Sequence, residues 1–149
     1  MARTVILGAG VEGHTAAAFL RKWLIKEHEV IVVSPKPDYN WLPSNIWAGV
    51  DRMKAEQVVI PLAHIYARHG VEFRQARAVS IHPEGTGEET MPYAKIESTL
   101  NDDSGQQVEM TYDFLIKATG WHSFLCPNSA VTKTLGIVAC KDELQSRRT

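Results

Sequence analysis

The stretch Thr4-Val-Ile-Leu-Gly-Ala-Gly-Val-Glu-Gly-His-Thr-Ala-Ala-Ala-Phe-Leu20 decides the fold. Val5-Ile6-Leu7 is a short apolar run ending on Gly8, and an alanine-rich segment follows. Between them Gly8, Gly10 and Gly13 stand at the spacing G-x-G-x-x-G, the dinucleotide fingerprint when a strand precedes it and a helix follows. Gly8 permits the tight strand-to-helix turn, Gly10 has no side chain to keep a pyrophosphate from the backbone, and Gly13 lets helix and strand pack closely. Unpaired amides and the positive dipole end of the helix then face the phosphates. Three glycines reach this spacing by chance often enough that the spacing alone is weak. Its context carries the nucleotide-binding reading over that of a purely structural turn.

Working outward, Val11 to about Lys26 reads as a helix, with Ala17, Leu20, Leu24 and Ile25 on one side and Arg21, Lys22 and Lys26 largely on the other. Val30-Ile-Val-Val33 is a continuous β-branched run, the pattern of a strand buried on both faces in a parallel sheet. Residues 4 to 34 therefore form one βαβ unit with a right-handed crossover. The tip of the second strand in such a unit meets the adenosine ribose, commonly with an Asp or Glu. Here Ser34-Pro35-Lys36 stands at that tip, leaving the ribose to a hydroxyl, to backbone or to Lys36. Glu29 sits at the wrong end of the strand and Asp38 slightly beyond it.

Asp38 to Val50 is loop-like, with Pro43 and Gly49, yet it carries Tyr39, Trp41 and Trp47. Trp41 and Trp47 cover a core edge, or the loop is laid along a flat cofactor or apolar substrate, and both can hold together. Gln57 to His69 reads as a helix with Val58, Leu62, Ile65 and Tyr66 on one stripe, ended by Gly70 in the left-handed conformation. His64 and His69 are off the i, i+4 spacing of a helical ligand pair and are read as solvated or capping residues. Val71 to Ala76 is a third parallel strand. Arg77 to Pro83, Ala94 to Leu100 and Gln107 to Tyr112 then alternate as an antiparallel meander, and Asn101-Asp-Asp-Ser-Gly105 is hairpin-turn chemistry rather than a metal site. Asp113 to Gly120 returns to a buried-strand pattern ending on Ala118-Thr119-Gly120, small residues suited to a strand tip that abuts a bound cofactor.

A chain of 149 residues is one domain's worth, enough to bury roughly 70% of the surface exposed when unfolded. A net charge of -1, with signs alternating along the chain, argues against a nucleic-acid partner. No apolar stretch reaches the ~20 residues needed to span a bilayer, and no signal-peptide pattern opens the chain. The expectation is a soluble, cytoplasmic protein. Cys126 and Cys140 make neither a disulfide framework nor a metal site.

This order of elements resembles the N-terminal FAD-binding segment of the pyridine nucleotide-disulfide oxidoreductase superfamily. Within it, Val32-Val-Ser-Pro-Lys-Pro-Asp-Tyr-Asn-Trp-Leu-Pro-Ser-Asn-Ile-Trp-Ala-Gly-Val50 resembles the sulfide:quinone oxidoreductases. Ile60-Pro61, Gly70-Val-Glu-Phe73 and Tyr112-Asp-Phe-Leu115 fit as well, so the resemblance covers about residues 1 to 120. The fold expected is α/β, a Rossmann-like FAD-binding domain over residues 1–120. It would hold a parallel sheet with the GxGxxG βαβ unit and a small antiparallel meander at about 77–112.

The resemblance implies FAD as cofactor, bound noncovalently or through a cysteine thioether, with sulfide as electron donor and a membrane quinone as acceptor. Carried over residue by residue, Gly8, Ala9, Gly10 and Gly13 would take the pyrophosphate, and Ser34 and Lys36 the ribose. Pro43 and Ser44 would approach the flavin, Ala78 the adenine, and Thr119 and Gly120 the pyrophosphate-ribitol region. Sulfur chemistry in this family belongs to cysteine thiolates beside the flavin. The flavin carries the electrons, and the protein orients it.

Two departures follow. Family members run to several hundred residues, with a second dinucleotide-type domain, further catalytic cysteines and an amphipathic membrane-binding end, whereas this sequence stops at Thr149. The family's first cysteine lies well beyond the Ala-Thr-Gly strand, but Cys126 comes six residues after Gly120, and nothing from Trp121 onward aligns. No catalytic residue is therefore assigned, Cys126 being a doubtful candidate. Residues 121–149 are read as an unassigned tail, truncated or divergent. The chain alone is expected to bind flavin weakly or not at all, and peripheral membrane contact would need the missing part. Rival readings are an NADH:quinone reductase or flavocytochrome-type sulfide dehydrogenase segment, and a nonenzymatic nucleotide-binding or scaffold module. Homo-oligomers stay open.

Overall fold

The computed structural model of the chain describes residues 1–85, 91–100, 105–120 and 137–138. Trp121, Cys126, Cys140 and nearly all of the unassigned tail lie outside them. The first strand, β1 (Arg3–Leu7), runs into helix α1 (Val11–Trp23), and β2 (Glu29–Ser34) returns parallel to β1, pairing Ile6 with Val32. Successive strand residues face opposite sides of a sheet, so this central pair feeds two cores. Val5, Leu7, Ile31 and Val33 pack on one face, and Ile6, Val30 and Val32 on the other with Ala17 of α1. That is why both strands read as unbroken apolar runs.

The helix α1 ends three residues before the expected Lys26. Leu24 is already extended, and the Arg21 guanidinium turns inward to donate to the carbonyls of Leu24 (3.1 Å), Ile25 (2.6 Å) and His28 (2.9 Å). A cation on the carbonyls that a helix C-terminus leaves without partners satisfies them and complements the dipole. Ile25 consequently points to solvent rather than to the core, 61% exposed.

The segment expected as a loop holds β3 (Asp38–Asn40), a 3-10 turn over Leu42–Ser44 and the short helix α2 (Asn45–Gly49). Its partner, β4 (Val59–Pro61), pairs antiparallel with β3, matching Tyr39 with Ile60. The helix expected from Gln57 therefore begins only at Leu62, as α3 (Leu62–Arg68). The β-branched run Val58-Val59-Ile60 favours a strand, and Pro61 tolerates an edge strand and a helix start. Gly70 does adopt the left-handed conformation, with φ +67°.

A larger departure concerns the third parallel strand. Val71–Ala76 and Arg77–Pro83 were expected as separate strands, but β5 (Glu72–His82) is continuous. Glu72–Gln75 pairs parallel to β2, while Ala76–His82 pairs antiparallel to β6 (Tyr93–Ser98), with an irregularity between Ala78 and Ser80. No proline or glycine interrupts residues 72–82, so the chain has no reason to break there. The meander continues to β7 (Gln107–Thr111), and β8 (Phe114–Lys117) inserts parallel beside β1 on its other side. Ile137–Val138, β9, adds antiparallel to β8. Among the described residues the main sheet runs β7-β6-β5-β2-β1-β8-β9, a Rossmann-like α/β fold with an antiparallel extension.

Two close approaches hold the β1–α1 turn against β8. A Cβ at Gly13 would overlap the Gly8 carbonyl, and one at Gly8, where φ is +106°, would overlap the Ala118 carbonyl. Gly13→Ala is expected to lower the unfolding free energy by about 2 kcal/mol or more through overpacking. Arg21→Ala should cost about 1–2 kcal/mol through lost charged hydrogen bonds. Urea denaturation followed by circular dichroism measures both; wild-type midpoints would contradict the packing account.

Candidate functional site

A cleft of about 980 Å³ opens at the carboxyl ends of β1, β2 and β8 and beside the middle of β5, where its parallel part ends. The chain leaves β1 for β2 on one side and later places β8 on the other, and ligands of open α/β sheets bind at such a switch of strand order. The structure brings most of the expected site residues together there. Gly8, Ala9 and Gly10 form one wall with the first turn of α1, Ser34 and Lys36 lie at the tip of β2, Ala78 comes from β5, and Thr119 and Gly120 follow β8. Gly13 lies beneath the wall, against Gly8. Pro43 and Ser44 do not line the cleft; of their turn only Leu42 does.

The glycines of the fingerprint are not equivalent. Gly10 has φ -77° and ψ -170°, a conformation open to any residue, and a Cβ there would meet nothing within 4 Å. Neither backbone geometry nor packing requires glycine at that position. The missing side chain instead leaves the α1 N-terminus uncovered towards the cleft.

Backbone and hydroxyl groups shape the β2 tip. Ser34, 7% exposed, accepts the Lys36 amide on its Oγ at 3.4 Å. The Thr99 hydroxyl, just past β6, donates to the Pro35 carbonyl at 3.0 Å, and its amide donates to the Gln75 carbonyl at 3.2 Å. The tip is thereby latched to the meander. Glu29 is remote from it, paired with Arg3 at 2.6 Å. Exposed charges around the cleft are mixed, Lys36 and Arg77 against Glu12 and Asp38. The N-terminal end of α1 adds a positive dipole end, with Glu12 in its first turn.

Sequence reasoning missed three contributors. Arg77 lines the cleft between Ala76 and Ala78, where β5 changes partner; two alanines flanking an arginine in mid-strand were the available signal. Tyr39 reaches the cleft from β3. His14, directly after Gly13, is half-buried, its Nδ1 2.8 Å from the Tyr66 hydroxyl and its ring edge-on to Tyr39 at 4.6 Å. Burial lowers the His14 pKa and pushes Tyr66 up to about 12, so both are neutral at pH 7. Trp41 and Trp47 are 44% and 54% exposed, so neither is enclosed in the core. Among the described residues no helix is long and apolar enough to cross a membrane.

No family model matches the sequence. The sulfide-quinone reductase of Aquifex aeolicus (strain VF5) is 28% identical over 116 residues, covering 78% of this chain and 24% of that protein. The mitochondrial external alternative NAD(P)H-ubiquinone oxidoreductase B3 of Arabidopsis thaliana is 28% identical over 123 residues, 81% of this chain and 20% of its own. The X-ray structure of the Aquifex aeolicus sulfide:quinone oxidoreductase superposes with a TM-score of 0.60 at 25% identity, covering 80% of this chain and 24% of that one. The chain thus spans a fifth to a quarter of the length of the relatives it matches. Over 78% of its length, the chain is a homologue of sulfide-quinone reductase and carries the fold of the FAD- and NAD-binding oxidoreductases.

Proposed function

We propose that this chain is the FAD-binding segment of a flavoprotein of the sulfide:quinone oxidoreductase type, a cytoplasmic protein whose flavin accepts electrons from sulfide and passes them to a quinone. The observation that carries the reading is Gly10, a glycine that neither conformation nor packing calls for, beside a helix N-terminus in the cleft of a sulfide-quinone reductase homologue. Such a gap suits a pyrophosphate that must approach the backbone. The bound flavin would supply two-electron chemistry; the described residues hold and orient it. In this reading Gly8, Ala9 and Gly10 face the pyrophosphate, Ser34 and Lys36 the ribose, Ala78 the adenine, and Thr119 and Gly120 the other side of the pyrophosphate. Gly13 acts through Gly8 rather than by contact. No described residue is assigned to the sulfur chemistry.

A second reading, in which a reduced nicotinamide is the donor, draws on the NAD(P)H-ubiquinone oxidoreductase relative. Donor identity separates the two. Anaerobic bleaching of bound flavin by sulfide and not by NADH supports the first, and the reverse result supports the second.

The site assignment has a test that does not need turnover. Titrating FAD into the chain while following backbone amides by NMR should shift Gly10 and Gly120. Gly10→Ala should leave stability within about 1 kcal/mol, yet weaken FAD at least about tenfold, a loss of ~1.4 kcal/mol. Equal FAD affinity in Gly10→Ala and wild type would remove the pyrophosphate assignment. Replacing the exposed Lys36 by Ala should cost about threefold at low salt, fading as salt rises; a salt-independent loss would mean that Lys36 acts by shape rather than charge.

A further inference from the structure

Four aromatic rings run from the interior to the cleft. Phe73 of β5 stacks on Tyr66 of α3 at 5.8 Å, Tyr66 lies 5.3 Å from His14 of α1, and His14 meets the Tyr39 ring edge-on. Tyr66 is 4% exposed, while Tyr39 is half-buried and lines the cleft. The one polar link in the row is the 2.8 Å hydrogen bond between Tyr66 and His14.

We propose that His14 is a positioning residue of the cleft: held by Tyr66, it fixes the Tyr39 ring as the wall that β3 presents to the nucleotide. This rests on the flavin-binding reading above. The strands β3 and β4 form a separate pair of three residues each, and a pair that short has little stability of its own. Its placement over the cleft therefore depends on what its side chains meet. Tyr39 meets His14, which belongs to the same helix whose N-terminus opens onto the cleft, so the imidazole sets the β3 wall relative to the glycine turn. An imidazole free to rotate about its χ angles would not define that wall; a hydrogen bond to a buried phenol, itself stacked on Phe73, leaves it one orientation. Apolar rings would fill the same volume, but without the directional contact.

Three single variants of the full chain, and the double variant of Tyr66→Phe with His14→Phe, test this. Tyr66→Phe removes only the hydroxyl, His14→Phe keeps a ring without the nitrogen, and His14→Gln offers an amide that can meet the Tyr66 hydroxyl again. Two readouts are taken on each: the NMR signals of the Tyr39 ring without ligand, and the FAD dissociation constant from the Gly10 and Gly120 amides. Tyr66→Phe and His14→Phe should shift the Tyr39 signals and weaken FAD about fivefold, the size of one lost hydrogen bond. The double variant should be no weaker than either single one, because both remove the same link. His14→Gln should regain most of the affinity, which a role in stability alone would not require. Unmoved Tyr39 signals, or FAD affinity equal to wild type in both Phe variants, overturns the positioning role alone. Because binding by the chain alone is expected to be weak, the titration runs to millimolar FAD; Gly10 and Gly120 amides that do not move even there overturn the flavin reading, and the positioning role with it.

Discussion

The carbonyl oxygen of Gly8 leaves no room for a side chain at Gly13, and the carbonyl of Ala118 leaves none at Gly8. These contacts press the start of α1, the tip of β1 and the tip of β8 into one knot, closed by hydrogen bonds from the Ala118 amide to the Leu7 carbonyl (2.7 Å) and from the Gly8 amide to the Val33 carbonyl (2.8 Å). Methyl groups would force the helix away from the sheet and carry its N-terminus off the cleft. Two glycines are thus spent on bringing backbone to backbone. The third, Gly10, faces open space, where neither packing nor backbone conformation calls for glycine.

The rest of the sheet extends from that knot in two directions with different logic. Towards β2 the strands are parallel, and β1 and β2 are buried on both faces, so the two cores are filled by alternate residues of the same strands, while the first part of β5 adds parallel with Glu72 and Arg74 exposed. From Ala76 onward β5 pairs antiparallel with β6 and carries the meander. The change of partner occurs at Ala76-Arg77-Ala78, which also line the cleft. The meander feeds back on the site through Thr99, whose hydroxyl holds the Pro35 carbonyl. Thr99, whose amide donates to the Gln75 carbonyl, therefore ties β5 just before its change of partner to the β2 tip.

How much of this was legible in the sequence follows from how local each determinant is. The βαβ unit, the meander and the left-handed Gly70 could be read because glycine spacing, β-branched runs and turn residues act within a few positions. The early end of α1 could not, because the Arg21 guanidinium folds back onto carbonyls as far away as His28, and periodicity placed that side chain with the solvent-facing cations. The late start of α3 hinged on Val59 and Ile60 finding partners in Asn40 and Tyr39, a pairing across a segment that reads as a loop. Continuity of β5 was hidden because its two halves pair with different neighbours, parallel with β2 and then antiparallel with β6, a change that no residue of the strand marks. In the candidate site, residues near the fingerprint were visible, whereas Arg77, His14 and the contribution of Tyr39 depend on tertiary placement. Pro43 and Ser44, named by resemblance, lie off the described cleft wall.

A division of labour between holding and reacting follows from the chemistry of the residues at hand. The described cleft offers amides, small side chains, a hydroxyl tip and charges of both signs, all suited to seating a nucleotide without polarising it. A sulfur-transfer step needs a thiolate kept ionised by a cation or a helix terminus. Among the described residues the helix end that opens onto the cleft is the one uncovered at Gly10, and one dipole cannot serve a bridging pyrophosphate and a thiolate at once, since two anions at one terminus repel. On the proposed reading the nucleotide half of the site is thus electrostatically committed, and a reacting sulfur would have to be activated from elsewhere.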